Sequence, residues 1–161
     1  MRSKKTLLMA AMAALALLLS ACSVNIERNQ DGSLQVDGEI TAESLAAEFE
    51  RDPENNSVDV RVDDGVLWLD VEGVDENGDY VANLRVELAV ADGTVVVDIT
   101  EAFYNGWTVP DEIRDEFNKE IAKEIKKAVN QNPDATLLSL VADDGKITTE
   151  WRVDTKDSKK G

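Results

Sequence analysis

Histidine is absent from all 161 residues, and cysteine occurs once, at Cys22. The first absence removes the commonest general base and the commonest transition-metal ligand together. The second excludes an intramolecular disulfide. Basic residues are scarce, with 17 Lys and Arg against 33 Asp and Glu. A chain this acidic repels nucleic acid and anionic headgroups alike, so nucleic acid is not an expected partner. G-x-S-x-G, a phosphate loop and any Ser/His pairing are missing too. The expectation is a protein that is not an enzyme and has no cofactor, catalytic residue or metal site.

What is present begins at the amino terminus. Arg2, Lys4 and Lys5 form a positive segment, followed from Leu7 to Leu19 by nothing but Leu, Met and Ala. That run of about 13 residues suits the apolar core of a signal peptide and falls short of the roughly 20 needed to span a bilayer. Small residues and a cysteine follow. Leu19-Ser20-Ala21-Cys22 resembles the lipobox of bacterial lipoproteins. The resemblance implies cleavage after Ala21, diacylglycerol on the Cys22 sulfur, and often a further acyl chain such as palmitate on the new amino terminus. A plain secretory signal with an incidental cysteine is the alternative. Thioether lipidation accounts better for a single cysteine in an exported chain, and two or more acyl chains meet the requirement for stable anchoring. Ser23, rather than an aspartate, follows the anchor. The resemblance then implies the outer membrane in a two-membrane bacterium, or the outer leaflet of the plasma membrane in a one-membrane cell.

Removing residues 1–21 leaves 140 residues and takes away three basic residues but no acid, so 14 cations face 33 anions at a net charge of −19. That length suits one domain with a real core. Residues 22–154 are expected to form it, with a polar, disordered tail over 155–161. Val24 and Ile26 open a short strand, and Leu34, Val36 and Ile40 continue an alternating set after a turn at 29–33. Thr41 reads as the N-cap of a short helix whose Leu45 and Phe49 share a face. A meander of four strands follows. Val58, Val60 and Val62, then Leu67, Leu69 and Val71, then Ala82 to Val90, then Val95, Val97 and Ile99 alternate with polar residues. Asp64-Gly65 and Asp92-Gly93 supply hairpin turns. One apolar and one charged face predict an antiparallel sheet covered on one side.

The longest helix is predicted after Val109-Pro110, with Thr108 and Asp111 resembling a capping box. Ile113, Phe117, Ile121, Ile125, Ala128 and Val129 form its stripe. A final hairpin sets Leu138, Leu140 and Ala142 inward before Asp143-Asp144-Gly145, then Ile147, Thr149, Trp151 and Val153. The predicted class is therefore α+β: an antiparallel β-meander on one long amphipathic helix, with a second short helix. The stretch 60–68 faintly echoes 140–148 around its Asp-Asp-Gly turn, as hairpin grammar alone would generate.

Chemical candidates are few. Asp75, Asn77 and Asp79 match the start of an EF-hand loop, but Tyr80 and Val86 stand where glycine and the bidentate glutamate belong, so a hairpin turn is the better reading. Adjacent acids at 63–64 and 143–144 read as solvated turn residues. Trp151 shares parity with core residues. Trp68 points away from its strand's apolar set, either beneath the short helix or exposed as a contact, and Tyr104 with Trp107 flanks a glycine turn.

Ile40-Thr41-Ala42-Glu43-Ser44-Leu45, the run from Val58 to Val71, the long helix and the last hairpin are similar in order to the YpmS-like and LmeA-like extracytoplasmic proteins. That resemblance implies a curved sheet wrapped on a helix, related to tubular lipid-binding domains, with an amphiphile in the groove. Leu84, Val86, Leu88, Ile113, Phe117 and Ile121 would line such a groove, and Trp107 would guard its mouth. Two functions follow: a non-enzymatic carrier or sensor of lipid at the envelope, or a structural adaptor lipoprotein contacting another envelope protein. A filled core beneath the helix favours the adaptor, an elongated groove the carrier.

Overall fold

The computed structural model describes residues 23–160; the expected signal peptide, with Ala21 and the Cys22 attachment site, lies outside the described residues. The class is α+β, but the strands divide between two antiparallel sheets. The first sheet holds β1 (Ser23–Arg28), β2 (Leu34–Thr41), β8 (Ala135–Asp143) and β9 (Lys146–Val153) in the order β1-β2-β9-β8. The second is the expected meander, β3 (Asn55–Asp63), β4 (Val66–Asp75), β5 (Gly78–Ala91) and β6 (Thr94–Tyr104), extended by the two residues of β7 (Trp107–Thr108). A short helix α1 (Ala42–Phe49) leads from the first sheet to the second, and α2 (Asp111–Gln131) leads back.

The turns explain why the meander forms. Asp64, Asp92, Asn105 and Asp144 have φ of 50 to 52°, each followed by a glycine at positive φ. Two left-handed residues in succession match the twist of the flanking strands, and Asp and Asn tolerate that region best after glycine. The Asn105-Gly106 turn produces β7, which alternation cannot announce because only two residues follow before Val109-Pro110. Cross-strand partners Val60, Leu69, Leu84 and Ala102 then share one face and are all buried.

Thr41 caps α1 as expected, its hydroxyl accepting from the Ser44 amide at 3.1 Å. Leu45 and Phe49 are each 1 % exposed. The capping box expected for α2 does not form. Pro110 occupies the N-cap with no side-chain bond, and its carbonyl accepts from Ile113 and Arg114 at 3.0 Å. The helix starts right after Pro110, so Thr108 lies two positions before the N-cap and Asp111 falls at N1 rather than at N3, where the reciprocal bond closes. Phe117, Ile121 and Ile125 are buried from the helix stripe, while Ile113 and Val129 are half-buried at its ends.

Two further expectations are corrected. A bulge between Leu137 and Ser139 reverses the parity of β8, burying Leu137 at 2 % and leaving Leu138 at 50 % exposure. One extra residue flips every side chain before it to the other face. The tail predicted to be disordered lies on the turn between β1 and β2: the Thr155 hydroxyl donates to the Gly32 carbonyl at 2.7 Å, and Arg28 pairs with Asp157 at 2.8 Å. A short 3₁₀ turn, Ser158–Lys160, follows. Composition reports solubility of a segment but not the carbonyls waiting for it.

Tyr80 closes the far end of the core. It is 4 % exposed, donates to Asn55 Oδ1 at 2.6 Å, and stacks on Tyr104 at 5.7 Å. Asn55 in turn donates to the Phe49 carbonyl at 2.8 Å, tying α1 to the meander. Gly73 lies under the Tyr80 ring, where a Cβ would stand 2.6 Å from its atoms. Burial pushes the Tyr80 phenol up to about 12, with nearby Asp52 and Glu54 adding to the effect.

Because Phe117 is 6 % exposed within this single core, Phe117→Ala is expected to cost roughly 3–5 kcal/mol. Urea denaturation measures it, and an unchanged midpoint would place the stripe in solvent.

Candidate interaction surface

The proposed groove residues come from two elements that the bulge on β6 holds together. Between Arg85 and Val86 the register on β6 slips from Glu101 to Ile99, leaving Thr100 unpaired. A bulge leaves backbone groups without ladder partners, and α2 fills them. Asn118 accepts from the Ile99 amide at 2.8 Å and donates to the Ile99 carbonyl at 3.2 Å. Arg114 donates to the Thr100 carbonyl at 2.9 Å and pairs with Asp111 at 3.0 Å. The helix is bolted to the sheet by its polar flank as well as its apolar stripe. Neither residue emerges from an apolar pattern. The available signal was the three-residue step from Ile99 to Ala102, which breaks a period of two.

Against this frame, Leu84 and Val86 are 5 % exposed and Ile121 is 0 % exposed. A side chain with no accessible surface has no water-sized space beside it. Leu88 and Ile113 are half-buried at the margin, so these six residues belong to one filled cluster. Trp107 stands apart, 81 % exposed just after the turn. Its neighbour Tyr104 is held instead, donating to Asp75 Oδ2 at 2.9 Å beside Tyr80, and its phenol is pushed up to about 12 by burial and by that carboxylate. Asp75 also accepts from the Asn77 amide at 2.7 Å, so these residues build a hairpin turn.

The outer face of the meander carries Trp68 in a row with Arg61 and Arg85. The Arg61 guanidinium lies 5.5 Å from the ring centre of the half-buried Trp68, a cation–π contact. Arg85 is engaged by Glu87 at 2.7 Å and the Thr100 hydroxyl at 3.0 Å.

On the other sheet, β1 buries none of its six residues, leaving Val24 at 52 % and Ile26 at 61 % exposure. Trp151, expected in the core, is half-buried and packs against the margin of the core beside Leu137. An open cavity of about 400 Å³ lies between the turn at Asn29–Asp31 and the side of β8 and β9, lined by Gln35, Leu138, Trp151 and Arg152. Arg152 is committed there to Asp31 at 2.7 Å and Asp154 at 3.0 Å. No family model, curated protein or solved structure matches the chain.

The two acidic turns meet. Asp143 Oδ1 accepts from the Asp144 amide at 2.9 Å, and the Asp63 and Asp143 carboxyls come close enough to share a proton. That contact raises Asp63 above its ordinary value, and its counterpart lowers Asp143 with help from the Asp144 and Asp64 amides. Asp63 therefore contributes stability below the ordinary carboxylate range and loses it as pH rises through its raised value. Asp143 contributes above that range and loses it as pH falls through its lowered value. Once pH has risen past both values the two carboxylates repel. Asp63→Asn is expected to raise the thermal midpoint at neutral pH and leave it nearly unchanged in the acid window where the proton is shared. Equal shifts at both pH values would show the carboxyls do not interact.

Proposed function

We propose that this chain is a non-enzymatic, lipid-anchored envelope protein whose folded domain acts as an adaptor rather than as a carrier. The observation that carries this reading is the filled space between α2 and the meander, where Ile121 has no accessible surface and Leu84, Val86 and Phe117 are 5 to 6 % exposed. An apolar ligand chain would have to displace those side chains and break the Asn118 clamp on Ile99. Contact chemistry lies outside the core instead. Trp107 is presented on a tight turn, a placement suited to an aromatic anchor in a partner's pocket. The address follows from Leu19-Ser20-Ala21-Cys22, which makes the bilayer the first partner through acyl chains and an envelope protein the second.

Two measurements test this. Cys22→Ser is expected to abolish incorporation of a clickable fatty acid and leave uncleaved precursor or soluble material; unchanged labelling would remove the anchor. Separately, the non-acylated domain, residues 23–161, is expected to carry no lipid in native mass spectrometry and to bind no fluorescent fatty acid. Co-purifying lipid that a bulky Val86→Trp displaces would restore the carrier.

A further inference from the structure

We propose that β1 docks on the bilayer surface through one face only, with Val24 and Ile26 entering the headgroup layer. The proposal rests on acylation of Cys22 and adds an orientation that anchoring alone does not supply. Cys22 directly precedes Ser23, the first residue of β1, so no linker separates anchor from strand. A strand advances about 3.3 Å per residue, so chain length alone keeps Val24 within about 7 Å and Ile26 within about 13 Å of residue 22. The interfacial layer of one leaflet is roughly 5–7 Å thick. Val24 therefore lies at this layer in any orientation, whereas Ile26 reaches it only if the strand lies along the surface.

The sequence of β1 favours the flat arrangement. Val24 and Ile26 point to one face at 52 % and 61 % exposure, and Ser23, Asn25 and Glu27 to the other. The register extends the distinction across the sheet. Ile26 stands in a row with Val36, Trp151 and the buried Leu137, and Val24 in a row with the buried Gly38 and Thr149, so the rows start on an open edge at β1 and run into the core. No carboxylate stands in these rows. The acids Glu27, Asp37, Glu39 and Glu150 project from the opposite face. Residues 22–161 carry a net charge of −19, and the open edge at Val24 and Ile26 bears no acid of its own, Asp157 beside it being held by Arg28, so it approaches an anionic headgroup layer with the least repulsion. It also carries Trp151, half-buried, an indole of the kind that prefers the interface. Arg28 ends the same face, paired with Asp157.

The test uses full-length acylated protein in vesicles of phosphatidylethanolamine and phosphatidylglycerol. Acylation leaves no free thiol, so an introduced cysteine can be labelled uniquely with an environment-sensitive fluorophore. Asn25→Cys and Ile26→Cys are the informative pair, because they are adjacent along the chain and face opposite ways. Val96→Cys, 42 % exposed on the meander, serves as the distant control. Quenching by a headgroup-attached nitroxide is expected to be several-fold stronger at position 26 than at 25, and negligible at 96. Equal quenching at 25 and 26 in protein shown by intact mass to be acylated would overturn the docking and leave the anchor standing. An unacylated intact mass would overturn both. Shielding at position 26 that persists in detergent, with an intermolecular disulfide through Ile26→Cys, would assign the face to a second copy instead.

Discussion

Two backbone hydrogen bonds join what would otherwise be separate sheets. The Gly65 amide donates to the Ala142 carbonyl at 2.8 Å, and the Gly145 amide donates to the Val62 carbonyl at 2.9 Å. Each Asp-Asp-Gly turn thus completes the other, and the two stretches that echo each other in sequence meet in space. The Leu137 amide adds a third tie to the Gly93 carbonyl at 2.8 Å, so β8 runs along the turns of the β3–β4 and β5–β6 hairpins. Side chains of both sheets then enter one core: Ile40, Leu137, Ala142 and Ile147 from one, Val62, Leu67, Val86 and Val95 from the other. Buried amides and carbonyls must find partners, and here that requirement decides how the layers meet.

The helix is fixed by the same accounting. Thr100 interrupts the ladder between β5 and β6, and Asn118 offers one acceptor and one donor to the Ile99 backbone left exposed. A primary amide is the side chain that most closely imitates a neighbouring strand. Together with Phe117 and Ile121 it leaves α2 seated rather than poised, which is why the interior serves stability and any recognition must use the surface.

That surface is divided by charge. Carboxylates crowd the turns and the outer faces, where their mutual repulsion is relieved by local partners such as Arg152 and Arg85. At the edge of the first sheet, β1 instead leaves Val24 and Ile26 open on the side that further in becomes the core.

Much of this was legible in the chain. Alternation located the main strands, Asp-Gly pairs located their turns, and the stripe through Phe117 and Ile121 located the long helix, because each of these depends on residues within one or two turns of each other. What the tertiary structure decided is of another kind. Pairing of Thr41 with Lys146 places the first and last strands in a sheet separate from the meander, and no local pattern encodes which edges meet. The bulges at Leu138 and Thr100 reverse parity within strands whose alternation looked continuous or simply ended. Trp151 and β1 show the same division: their apolar pattern is set by sequence, but whether a facing layer extends far enough to cover them depends on where the two sheets dock.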